Sequence, residues 1–125
     1  MKNTVLLLLA LICIVGCREE ENPPTVSVKY EVITTSGPWF GEYIDGTGTK
    51  ICTCNNQLLL PNGWTLEFNV AKRPFVLHID ATAGTNVGQS NMPDVTTNIY
   101  VDNKLVATNT SNWAQGVASA DWVIE

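Results

Sequence analysis

The sequence predicts an all-β fold, an antiparallel β-sandwich of about seven or eight strands. Three observations carry that prediction: period-two alternation of apolar and polar residues from Thr25 onward, turn signals every eight to twelve residues, and no apolar repeat at helical spacing beyond a turn or so. Strands bury alternate side chains against a second layer, and many short ones divided by Gly, Pro, Asn and Asp favour two packed sheets.

Val26, Val28, Tyr30 and Val32 alternate with Ser27, Lys29, Glu31 and Ile33, a half-buried strand with one apolar residue on its polar face. Ser36-Gly37-Pro38 ends it, Trp39–Asp45 reads as the second strand, and Asp45-Gly46-Thr47-Gly48 as a turn whose glycines adopt positive φ at little cost. Lys50–Leu60 reads as a third extended segment, interrupted at Asn55-Asn56-Gln57. Pro61-Asn62-Gly63 is a strong turn signal. Trp64, Leu66, Phe68 and Val70 then share one face, with Thr65, Glu67 and Asn69 on the other. Beyond Lys72-Arg73-Pro74, Phe75, Leu77, Ile79 and Ala81 alternate with Val76, His78 and Asp80. Gly84–Pro93 is polar and glycine-bearing, the longest expected loop. Thr96–Val101 and Lys104–Asn109 flank Asp102-Asn103, a two-residue hairpin loop that requires positive φ at both positions. Ala118–Ile124 is the last strand.

The N-terminus carries a different message. Lys2 precedes an eleven-residue apolar run, Val5–Val15, and Gly16-Cys17 follows. The run is short of the roughly 20 residues a membrane-spanning helix needs, and its layout is that of a secretory signal. Ile14-Val15-Gly16-Cys17 resembles the lipobox of bacterial lipoproteins, in which the signal is cut before the cysteine, the thiol receives diacylglycerol and the new amine is acylated. The expectation is a signal peptide over 1–16, a lipidated acidic and proline-bearing tether over 17–24, and one domain over 25–125, with Cys17 as the lipidation site and membrane anchor. Arg18-Glu19-Glu20-Glu21-Asn22-Pro23-Pro24 cannot build a core and reads as an extended tether. Its acidic cluster resembles the surface-export signal of Bacteroidetes lipoproteins, and Arg18, in place of Asp beside the anchor, resembles outer-membrane sorting. The location expected is the cell envelope, at the outer membrane or the cell surface.

Removing 16 of 125 residues leaves 109, one domain's worth. Seven basic residues less Lys2 then stand against twelve acidic ones, a net charge of −6. With no basic cluster beyond Lys72-Arg73, nucleic acid is excluded as a partner. Of four cysteines, Cys13 leaves with the signal and Cys17 is modified, so Cys52 and Cys54 remain as thiols in an oxidising compartment.

Ile99-Tyr100-Val101-Asp102-Asn103-Lys104-Leu105-Val106-Ala107, preceded by Tyr30-Glu31-Val32, Tyr43-Ile44-Asp45-Gly46-Thr47-Gly48 and Leu60-Pro61-Asn62-Gly63-Trp64, resembles the MmpS-like family, small membrane-anchored periplasmic accessory proteins of mycobacterial lipid and siderophore exporters. The resemblance spans roughly Val28 to Val123 and keeps the order of the blocks. It implies an immunoglobulin-like β-sandwich and a non-enzymatic role beside a transporter. Two features depart from the family: a lipobox stands in place of a transmembrane helix, and the family's cysteine pair around the last hairpin is replaced by Asn98 and by Ala118-Ser119-Ala120.

Candidate chemistry is sparse. On a continuous strand Cys52 and Cys54 face the same way with Cα atoms about 6.6 Å apart, the upper edge of disulfide geometry. The readings open to them are buried free thiols sharing a face with Leu58 and Leu60, a disulfide or redox pair, a metal site with His78, and pairing between chains. His78 and Asp80 share the polar face of their strand and read as a solvent-facing surface pair, without a nucleophile beside them. Trp39, Phe40 and Trp113 sit beside turn residues and are candidate ligand contacts, or plugs for the sandwich ends. Asp45, Asp94 and Asp102 lie in separate turns without the ligand spacing of a calcium loop. The expectation is a non-catalytic protein without cofactor or metal, accessory to an envelope export system. The alternative is a surface module that binds glycan or host protein.

Overall fold

A computed structural model describes residues 24–54, 58–84, 93–112 and 116–125. Cys17 with its tether up to Pro23, and Trp113, lie outside the described residues. Eight strands follow one another: β1 (Val26–Thr34), β2 (Trp39–Ile44), β3 (Lys50–Cys52), β4 (Trp64–Val70), β5 (Phe75–Ala83), β6 (Val95–Val101), β7 (Lys104–Ser111) and β8 (Ala118–Ile124). They form two four-stranded antiparallel sheets, β4-β1-β6-β7 and β3-β2-β5-β8, as the alternation predicts.

The neighbour relations are immunoglobulin-like with one departure. β8-β5-β2-β3 has the order of a G-F-C-C′ sheet, and β1 beside β4 stands as B beside E. The place beside B that strand A takes in that fold belongs here to β6, whose hairpin with β7 is inserted between the F-like and G-like strands. That hairpin turns at Asp102 and Asn103 with φ of 48° and 63°, the double positive φ that the two-residue loop requires. Asp102 accepts from the Ser27 backbone N–H at 3.0 Å through Oδ1 and donates its own N–H to the Ser27 carbonyl at 2.8 Å, fastening the hairpin to the start of β1.

The core lies between the sheets. Val26, Val28, Tyr30 and Val32 of β1 face Phe75, Leu77, Ile79 and Ala81 of β5, with Ile99, Ala118, Ala120 and Ile124 completing it. An aromatic chain runs through it: Trp39 meets Trp64 edge-on at 5.1 Å between centroids, Trp64 meets Tyr43 at 5.3 Å, and Tyr30 meets Phe68 edge-on at 5.3 Å. Ile33, on the outward face of β1, is exposed as its register demands.

One polar side chain crosses the core. The β2–β5 ladder ends at Tyr43↔Ile79, so the next residues in register, Ile44 and His78, lie beyond its last pair. Tyr30 reaches across from β1 and its hydroxyl enters at that position, donating to the Ile44 carbonyl at 2.9 Å and accepting from the His78 backbone N–H at 3.3 Å. Both backbone groups, stranded where the ladder stops, are thereby satisfied. Burial pushes the Tyr30 hydroxyl well above its ordinary pKa, so it stays protonated and available to donate.

Strand direction sorts the connections to two ends. One end holds Pro24, the β6–β7 hairpin and Glu125, with Arg73 donating to the carbonyls of Glu125 at 3.3 Å and Pro24 at 3.5 Å. The opposite end holds the β1–β2 connection, the Pro61-Asn62-Gly63 turn, Gly84 after β5, Pro93 before β6 and Asn112 after β7.

Tyr30→Phe keeps the ring and removes the bridge. Leaving two buried backbone groups short of a partner costs about 1–3 kcal/mol for each group that water cannot reach. The expected outcome is a lower denaturant midpoint with an unchanged m-value, read by urea unfolding.

Candidate functional site

The side chains able to do chemistry collect on the outer face of the β3-β2-β5-β8 sheet. Because the side-chain period is two, β2 turns Phe40 and Glu42 outward, and β5 turns Val76, His78, Asp80 and Thr82 outward. Register sets Glu42 directly opposite Asp80 and His78 directly opposite Asp121 of β8. Gly41 helps bring β2 this close: a Cβ there would overlap the Asp80 carbonyl.

His78 is the centre of the group. Its Nδ1 lies 2.6 Å from Asp121 Oδ1, and since an ionised carboxylate only accepts, that nitrogen carries the proton and donates. Nε2 therefore points the other way, 3.4 Å from Asp80 Oδ2 and 3.8 Å from Glu42 Oε1. Lys50 of β3 pairs with the same Glu42 oxygen. Partial burial opposes a charged ring, but the Asp121 hydrogen bond and the Asp80 and Asp121 charges outweigh it and hold the His78 pKa above its ordinary value. His78 and Asp80 share the outer face of β5, as alternation predicts, but their side chains are half-buried, flanked on both sides by strands. Glu42, His78 and Asp80 present one ligand atom each within 4.8 Å of one another.

The opposite outer face of the molecule is satisfied differently. Glu31 Oε2 accepts from Asn98 Nδ2 at 2.9 Å and from the Tyr100 hydroxyl at 2.8 Å, and these hydrogen bonds hold its carboxyl below the usual range. Thr108 donates to Asn98 Oδ1 at 2.7 Å, which closes that network across β1, β6 and β7.

Cys52 and Cys54 form a disulfide, one of the readings the sequence leaves open. β3 stops at Cys52, and Thr53 turns inward: its N–H donates to the Gly41 carbonyl at 2.8 Å, and its Oγ1 accepts from the Gly41 N–H at 2.9 Å. That turn draws the cysteine Cα atoms to 5.4 Å, inside disulfide range. The shared face with Leu58 and Leu60 is lost with the strand. Cys54 is exposed, and Leu58 and Leu59 are 56% and 50% exposed. Cys52 lies opposite Glu42 in register, so the disulfide borders the charged group.

The aromatic candidates separate. Trp39 is wholly buried at the start of β2 and bridges to Leu60, so it is a core residue and cannot be a ligand contact. Phe40 is half-buried on the outer sheet face, opposite Thr82. Trp113 falls outside the described residues; Asn112 and Gly116 on either side of it line a cavity of about 60 Å³ together with Thr82, Pro93 and Val95. That is room for a few waters, far below the roughly 300–1,000 Å³ of small-molecule sites.

Sequence reasoning found His78 and Asp80 but missed Glu42 and Asp121. Neither lies near His78 in the chain, and both reach it only through the register of β2 and β8 on β5. A faint signal was present for Asp121, which shares a strand phase with Ser119; Glu42 shares its phase with the apolar Phe40 and Ile44 and offered none. The chain matches no protein-family model and no curated protein.

The disulfide has a direct readout. Intact mass of the chain, with and without reductant under denaturing conditions, is expected to show a gain of about 2 Da on reduction for the Cys52–Cys54 pair.

Proposed function

We propose that the chain is an exported, lipid-anchored, non-catalytic binding or accessory protein of the cell envelope, held to a membrane through Cys17. The observation that carries the reading is where the tether joins the sandwich. Pro24, the last residue of the tether, sits at one end with Glu125, so the opposite end, with the exposed Leu58, Leu59 and Val117, faces away from the anchor, while Val76, Leu105, Trp122 and Val123 are exposed toward the tether. A tether of seven residues at about 3.3 Å each reaches roughly 23 Å, enough to hold the domain off a bilayer with its opposite end outward. Exposed apolar side chains at that end are the kind of surface a protein partner covers.

A binding role also fits the chemistry. Both ring nitrogens of His78 face carboxylates, and among the described residues no hydroxyl or thiol is hydrogen-bonded to the ring, so the geometry supports no nucleophile–base pair. Docking on an export system, the role implied by the resemblance to the MmpS-like family, is the leading partner class. A glycan platform is weakened, because Trp39 is in the core.

The anchor is tested by fractionating cells that express the chain and its Cys17→Ala variant. The parent chain is expected in the membrane fraction and the variant in the soluble fraction. Continued membrane partitioning by the variant overturns the reading. Mild-detergent affinity purification of the parent chain is then expected to recover a transporter component; recovery of the chain alone counts against the accessory role.

A further inference from the structure

We propose that Glu42, His78 and Asp80 form a binding site for one divalent first-row transition metal ion, with Zn²⁺ the best match, and that Asp121 is the residue that orients the histidine ligand. The site stands independently of the export reading and of the opposite-end surface.

Geometry comes first. Ligands at about 2.0–2.1 Å from a tetrahedral Zn²⁺ lie roughly 3.3 Å from one another. Nε2 to Asp80 Oδ2 is 3.4 Å and Nε2 to Glu42 Oε1 is 3.8 Å. The first is long for an N–H···O hydrogen bond and close to a coordination edge, and the second needs only a small side-chain adjustment. The three atoms come from adjacent strands of one sheet, which fixes their backbones without a loop.

The tautomer agrees. A histidine that binds metal through one nitrogen commonly donates the other N–H to a carboxylate, which fixes the ring and raises its basicity. Asp121 accepts from Nδ1 at 2.6 Å, so on the neutral ring the Nε2 lone pair faces the side where Glu42 and Asp80 converge. Lys50 pairs with the same Glu42 oxygen, so metal binding displaces that ion pair.

The charge pattern supplies a reason for a cation. Glu42 and Asp80 are directly opposite across antiparallel strands, where like charges repel. Asp121 adds a third carboxylate around one ring, and Lys50 is the one fully charged cation paired to the group among the described residues. Asp80 Oδ1 is buried and has no hydrogen-bond partner among the described residues, although Glu31 on the other sheet shows how this fold satisfies a carboxylate. One imidazole and two carboxylates suit Zn²⁺ or its neighbours better than Mg²⁺ or Ca²⁺, which favour all-oxygen shells.

His78 is the single histidine of the chain, so its imidazole gives one assignable set of NMR signals. The test is titration of the full chain in detergent, stripped of metal and without reductant near neutral pH, with Zn²⁺ followed by calorimetry and by those signals. Co²⁺ serves as the optical probe of coordination. Saturation at one equivalent that moves the His78 ring signals is expected. Glu42→Gln, Asp80→Asn and Asp121→Asn are each expected to weaken binding about 10–100-fold, and His78→Gln to abolish the one-equivalent phase. The substitutions change only outward-facing side chains, and near-ultraviolet circular dichroism checks that the packing of each variant matches the parent. Absence of saturable binding in the parent chain overturns the proposal, as does Zn²⁺ uptake that leaves the His78 signals unmoved or survives His78→Gln.

Discussion

The Tyr30 hydroxyl is the interaction on which the rest of this sandwich depends. Most contacts between the two sheets are apolar and non-directional, and they tolerate a sheet sliding or rotating over its partner. A hydroxyl that donates to the Ile44 carbonyl and accepts from the His78 N–H is directional, and it joins β1 of one sheet to β2 and β5 of the other at a single point. It fills the position where the β2–β5 ladder stops, so β2 can leave β5 for the Asp45–Gly48 turn without stranding buried backbone groups. Phe68 and Tyr43 pack around the same ring and fix its reach.

That fixed point has a consequence on the far side of the sheet. His78 gives its backbone N–H to Tyr30 inside the sandwich and carries its imidazole outside, between Asp121 and the Glu42–Asp80 pair. A slip of one residue in β2 or β8 on β5 sends these side chains to opposite faces and dissolves the group. The close approach at Gly41 and the Thr53 turn hold β2 and β3 in the same register, and the Cys52–Cys54 disulfide closes that turn. The core thus positions the charged constellation through the backbone of His78, whose side chain stands on the outer face.

The parts legible in the sequence are those governed by local period. β4 and β8 run between the residues that alternation picks out, and the positive φ of Asp102 and Asn103 follows from a two-residue hairpin loop. What alternation could not give was register. His78 and Asp80 stood out as a pair on one strand, but their partners are set by which strands flank β5, and that depends on a topology in which β6 and β7 leave for the other sheet before β8 returns. The sequence leaves the state of Cys52 and Cys54 open for a different reason: a three-residue strand ended by an inward threonine looks, in sequence, like the middle of a longer one. Trp39 was ambiguous because a residue just after Gly37-Pro38 can open a strand or crown a turn, and only the Leu60 bridge and the Trp64 ring decide that it opens a strand inside the core.

Amide hydrogen exchange at His78 tests the central claim most directly. Its N–H has no strand partner and relies on one tyrosine hydroxyl, so the account predicts protection comparable to that of the neighbouring amides of Leu77 and Ile79 in the parent chain. Fast exchange at His78 beside slow exchange at Leu77 and Ile79 would contradict it, because the ladder end would then be open to water and the register that assembles the charged face would have another source.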